Sequence, residues 1–205
     1  MNWAGYVLAV GSYQEVGAEW TVPSLDCSVV PNGSTSDWVG VNGWVDPANL
    51  FQAGTASTCA GNSQTNFVVW SDGALGYVWQ VEFSVNAGDV ISAQVEQTPV
   101  GAWTATVADE TTGQSASVSE PVAYAGASAE WVAEDSGTPG STVLDPLADF
   151  GTVAFNDLSV APSALPSFAD AIEMLRADGS VAAMPTAIQG AGGAASFTVA
   201  CEPQS

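Results

Sequence analysis

The sequence predicts an all-β protein, an antiparallel sandwich or barrel, and three observations carry the prediction. Apolar and polar residues alternate with period two along most of the chain. Turn-forming groups punctuate those runs at short intervals. Only one stretch shows helical spacing. Many short strands at such intervals are the signature of sandwiches and barrels.

Taken in order, the stretches 24–37 and 54–66 are rich in Gly, Ser, Thr and Asn and are expected to be long loops. In ISAQVEQ, Ile91, Ala93 and Val95 point one way while Ser92, Gln94 and Glu96 point the other. WTATVAD repeats the pattern with Trp103, Ala105 and Val107, and SFTVAC does so with Phe197, Val199 and Cys201. Turns are expected at Asn86-Ala87-Gly88-Asp89, Thr112-Gly113-Gln114 and Asp178-Gly179. FADAIEML spaces Phe168, Ala171, Ile172 and Leu175 as a helix would, but the following Asp178-Gly179 and VAAM favour a strand and hairpin. No linker divides the 205 residues, which suit one domain, residues 1–205, large enough for a substantial core.

The charge balance excludes much chemistry. Against 22 Asp and Glu stands a single cation, Arg176, for a net charge of -21. Such a field repels nucleic acid and anionic membranes, and no apolar run is long enough to span a bilayer. With no histidine there is no Ser-His or Cys-His nucleophile and no imidazole–zinc site. With no lysine there is no Schiff base and no Walker A loop. Catalysis must rest on carboxylates, amides, hydroxyls and backbone dipoles. Acidic ligand spacings such as D-x-[DN]-x-[DN]-G are also missing, so no metal or other cofactor is expected.

Mutual repulsion is expected to raise the pKa of many carboxylates, which stabilises the fold in acid. A halophilic surface is the alternative, but halophiles carry dense charge and only 11% of this chain is charged. Three cysteines fit one disulfide and a leftover thiol in an oxidising compartment, with Cys27–Cys59 the favoured pair and Cys201 in the core. MNWAGY has no secretory-signal pattern, so the chain reads as a mature secreted domain behind a start Met. Asn32-Gly33-Ser34 fits the N-glycosylation pattern, which is common by chance.

Several segments, in order, resemble the glutamic peptidases, a family of secreted, acid-acting endopeptidases with a β-sandwich fold. NWAGY (2–6), EWTVP (19–23), WVGVNG (38–43) and FQAGT (51–55) are similar to successive family motifs. So are GDVISAQV (88–95), TTGQS (111–115), AEWVAED (129–135) and ADFGTVAF (148–155). The resemblance implies a sandwich of two packed, curved sheets, similar to a jelly roll. It also implies a catalytic dyad, Gln52 and Glu130, acting on polypeptide substrates, in a chain expected to be a monomer. Glu130, desolvated among Trp131 and small apolar neighbours, would act as general base on a water and general acid to the leaving amine. Gln52 would hold the water or stabilise the oxyanion. Trp38, Asn42, Trp70, Asp72, Trp131 and Glu134 would support the dyad or line the substrate cleft.

The chain departs from the family pattern at Asn42 and Ala56, where the family has Asp, and at Asp72 and Ala74, where it has Glu and Tyr. A sandwich that binds peptide or sugar through Trp38, Trp44 and Trp70 is therefore a second reading. A glycoside hydrolase using two carboxylates, such as Glu82 with Glu130, is a third. DSGT at 135–138 matches the aspartic-peptidase signature, but that chemistry needs a second copy and the chain has none.

Overall fold

Alternation in the sequence becomes alternation in burial wherever a strand has one wet face. β7 (Val90–Gln97) buries Ile91, Ala93 and Val95, and β8 (Trp103–Asp109) buries Trp103, Ala105 and Val107. Their turns fall where expected, with Gly88 and Gly113 in the left-handed region that a residue lacking Cβ adopts freely. The structure, a computed structural model, describes every residue except 77–79, 99–100, 122–124, 138–142, 163–168, 192–193 and 203–205.

Among the described residues, fifteen strands form two antiparallel sheets packed face to face, open rather than closed into a barrel. The first sheet runs β12 (Asp170–Ile172), β1 (Trp3–Tyr13), β10 (Gly126–Glu134), β3 (Ser34–Val41), β4 (Phe51–Ala60), β5 (Ser63–Asp72) and β6 (Gln80–Val85). The second runs β13 (Met174–Leu175), β14 (Val181–Pro185), β15 (Phe197–Cys201), β11 (Thr152–Ala161), β2 (Glu15–Thr21), β7, β8 and β9 (Gln114–Glu120). The chain crosses between the sheets several times, twice over a single residue: Gln14 between β1 and β2, and Glu173 between β12 and β13. The segment with helical spacing is thus extended and split between the sheets. Its turn at Asp178-Gly179 closes the β13–β14 pair, and Phe168 lies outside the described residues.

The core lies between the sheets. Trp20, Trp103, Trp131, Phe51 and Phe155 are essentially fully buried there. Each such aromatic side chain contributes about 4–6 kcal/mol of transfer free energy. Trp20 Nε1 donates to Thr55 Oγ1 at 3.0 Å and Trp131 Nε1 to the Gly17 carbonyl at 2.9 Å, so each indole is satisfied by the opposite sheet. Cys27 and Cys59 form the disulfide, tying the β2–β3 connection to the end of β4. Cys201 is a free, half-buried thiol.

The expected loops need correction. Residues 34–37 open β3, while 54–60 and 63–66 belong to β4 and β5, with only Gly61-Asn62 between them. These strands are central, and every residue of β3 is buried. Small residues are required there by close approach: a Cβ on Gly54 would lie 1.8 Å from the Asp37 carbonyl oxygen. Composition that elsewhere marks a loop here marks crowded strands.

Candidate functional site

Antiparallel register sets which side chains share a face. Glu130 of β10 pairs with Gly40 of β3, and Gly40 pairs with Gln52 of β4. Extended sideways, the row reads Asp170, Val7, Glu130, Gly40, Gln52, Ser71. Directly paired residues project from the same face. Glu130 and Gln52 therefore stand on one face, two strand spacings or about 9–10 Å apart, with a glycine between them. A Cβ on Gly40 would fall 2.9 Å from the Gln52 Cβ. The same Cβ would lie 3.3 Å from the Phe51 carbonyl oxygen and 3.5 Å from Leu50 Cδ1, so only a residue lacking a side chain fits between carboxyl and amide.

This face is turned away from the second sheet. Ala129, Trp131 and Ala133, at the alternate positions of β10, belong to the inter-sheet core, whereas Val132 packs with Val7, Trp38, Ala56, Val69 and Ile172 on the outer side. Trp38 and Glu134 share the outer face with the dyad candidates. The Asn2 amide donates to the Glu134 carboxyl at 2.9 Å, and the indoles of Trp3 and Trp38 lie beside it and favour its charged form.

Trp131 and Trp70 do not line this face. Both are core residues on the opposite side, Trp70 against Phe51 at 6.1 Å between ring centroids. The neighbours that desolvate Glu130 are therefore not the Trp131 ring, because adjacent strand residues point oppositely. Asp72 caps the short turn Gly73–Leu75, accepting from Ala74 N at 2.7 Å. Ala56 joins the apolar cluster of the outer face. Glu82 accepts from Trp70 Nε1 at 2.8 Å and lines a small cavity between the sheets, so it does not face Glu130.

Glu130 is 1% exposed and is held by neutral donors. Its Oε1 accepts from Ser128 Oγ and from Trp44 N at 2.9 Å, and the Gly43 amide also donates to this carboxyl. Oε2 is buried and has no hydrogen-bond partner among the described residues. Burial pushes the carboxyl up to about 7, and the three donors only partly offset it. Asn42 holds the turn that delivers these amides. It adopts φ 71°, accepts from Ala127 N at 2.7 Å through Oδ1 and donates Nδ2–H to the Asn49 carbonyl at 3.1 Å. Its own backbone N–H donates to Ser128 O at 3.1 Å.

Glu134 is likewise raised to about 7 and Asp135 to about 6, in both cases chiefly by burial. Asp37 reaches about 8 by burial alone. Desolvation, rather than the mutual repulsion expected from composition, is thus the leading cause in every raised carboxylate. Exposed Asp26 and Asp178 are lowered by hydrogen bonds from Ser28 and Ser180. Sequence reasoning passed over Ser128, Gly40 and the 43–44 amides. Ser128 had a signal, since it sits two residues before Glu130 and a strand places it on the same face.

Residues 1–192 match the family model described as the Peptidase A4 family. The chain belongs to that family. Aspergillopepsin-2 of Aspergillus niger is 31% identical to it over 181 residues, covering 76% of this chain. The match covers 62% of that relative's own length. Two solved structures of the same architecture cover 98% of both chains. One is scytalido-glutamic peptidase with a transition state analog inhibitor, with a TM-score of 0.79 at 21% identity. The other is SCP-B, a member of the Eqolisin family of peptidases in a complex with the tripeptide Ala-Ile-His, at 0.77 and 22%. Membership in the Peptidase A4 family accords with the order of motifs along the chain and with the sandwich built from them.

Proposed function

We propose that this Peptidase A4 family member is a secreted, acid-acting endopeptidase of monomeric form, cleaving polypeptides with Glu130 as general acid and base and Gln52 as oxyanion donor. The observation that carries the reading is the row Glu130–Gly40–Gln52, a buried carboxyl and an amide facing one another across a position without a side chain. The family match and the Cys27–Cys59 disulfide support it.

With Glu130 raised to about 7, its resting form in acid is the carboxylic acid. The proton cycle then starts from the acid, where sequence reasoning started it from the base. Oε2 gives its proton to the scissile carbonyl oxygen as a water adds to the carbon. It recovers a proton from that water, leaving a neutral diol. Oε2 next protonates the amine nitrogen as the C–N bond breaks, and the proton lost from the diol as its C=O re-forms restores the acid. Gln52 donates its amide N–H to the oxygen on which charge develops, a contact whose removal typically costs about 2.7–4 kcal/mol of transition-state stabilisation. Activity is therefore present in acid and lost as pH rises through the Glu130 titration.

The test is cleavage of an unfolded protein across about pH 2–7, with Glu130→Gln and Gln52→Ala alongside. Cleavage that peaks in acid and disappears in Glu130→Gln, with Gln52→Ala slowed about 10²–10³-fold, is the expected result. A folded wild type that cleaves nothing, after any required processing, overturns the reading.

A further inference from the structure

The two oxygens of Glu130 are not equivalent. Oε1 accepts from Ser128 Oγ and Trp44 N, and the Gly43 amide donates to the same carboxyl. An oxygen whose lone pairs are occupied by donors is a poor place for a proton. Oε2, equally buried, has no partner among the described residues. Ser128 is itself fully buried, and its carbonyl is held by Asn42 N, so its hydroxyl is delivered from a fixed backbone.

We propose that Ser128 is a positioning residue for the reaction: with the Trp44 amide it anchors Oε1 of Glu130, so that every proton transfer runs through Oε2. The inference rests on the proposed role of Glu130. It explains how one carboxyl can serve water and amine in turn without rotating, since anchoring one oxygen fixes the carboxyl and leaves the unpartnered one free to exchange protons. Other titratable groups on the surrounding elements are Tyr13 on β1, Glu134 on β10, Asp170 on β12, Asp46 in the turn after β3 and Asp72 at the end of β5. None of them hydrogen bonds to Glu130, and Asp37 of β3 projects from the opposite face. Tyr13 interacts with it through charge, its phenol being raised first by burial and then by that carboxylate.

The experiment follows the Glu130 carboxyl directly by carbon NMR of glutamate-labelled full-length protein, assigning the signal by its loss in Glu130→Gln. Ser128→Ala and Ser128→Gly remove the hydroxyl, and Ser128→Thr keeps it. Loss of one charge-assisted donor is expected to move the Glu130 titration up by about one pH unit. The neutral limb of kcat/KM should move with it, and kcat should fall about tenfold as the carboxyl loosens. Ser128→Thr should restore both. An unshifted titration in a folded Ser128→Ala or Ser128→Gly variant overturns the proposal, as does a Thr variant that behaves like Ala. Wild type that shows the Ser128-dependent titration but no cleavage refutes the peptidase reading while upholding the anchoring.

Discussion

Asp37 should set an upper pH limit on the fold, and replacing it with asparagine should lift that limit. Its side chain projects from β3 into the space between the sheets, in the row Ala4, Ala133, Asp37, Thr55, Val68. It is 1% exposed, and neither carboxyl oxygen has a hydrogen-bond partner among the described residues. Burial raises it from an ordinary 3.8 to about 8. A folded-state value above the unfolded one means the neutral acid is favoured by folding. The stabilisation is complete below about 3.8 and is lost as pH climbs through about 8. A shift of about four pH units corresponds to roughly 5 kcal/mol, a large part of the roughly 5–15 kcal/mol typical of a whole domain. The amide of Asp37→Asn cannot ionise. Its extra unpaired hydrogens should cost about 1–3 kcal/mol at every pH, so the variant should be the less stable protein in acid and the more stable near pH 8. Urea unfolding at unit steps from about pH 3 to 8, with m held constant, gives both curves. Glu130 and Glu134 supply the same background slope to each. Parallel curves that never cross would refute the reasoning, because they would mean that Asp37 does not hold its proton in the folded state.

Three further outcomes are expected. Gly40→Ala places a methyl 2.9 Å from the Gln52 Cβ, in the gap between amide and carboxyl, and should lower kcat/KM by about 10²-fold while circular dichroism shows the sheet intact. Asn42→Asp keeps the acceptor for Ala127 N, but once ionised it cannot donate to the Asn49 carbonyl. The variant should work in strong acid and lose activity at lower pH than wild type, which a kcat/KM profile will show as a downward shift of the neutral limb. Removing the disulfide by Cys27→Ser with Cys59→Ser frees a 32-residue separation and should cost about 3–4 kcal/mol of unfolding free energy, read from the urea midpoint.

Legibility in the sequence followed the number of wet faces. β7 and β8 alternate in residue type because one of their faces meets solvent, so residue order alone was enough to find them and their turns. β3 and β4 are covered on both sides, so their small polar residues carried no alternation and read as loop. Motif order pointed to Gln52 and Glu130 individually, and the missing histidine and lysine limited which chemistries remained. Which residues share a face became visible only once the strands were paired. Register through Gly40 puts the amide and the carboxyl in one row, and strand parity sends Trp131 and Trp70 to the core while Trp38 and Glu134 stay beside the dyad candidates. Parity likewise separates Asp37 from the other acids, for a carboxylate becomes a pH-sensitive core group only when non-local pairing removes water from it. Desolvation is a property of everything packed around a group, and no single stretch of sequence contains it.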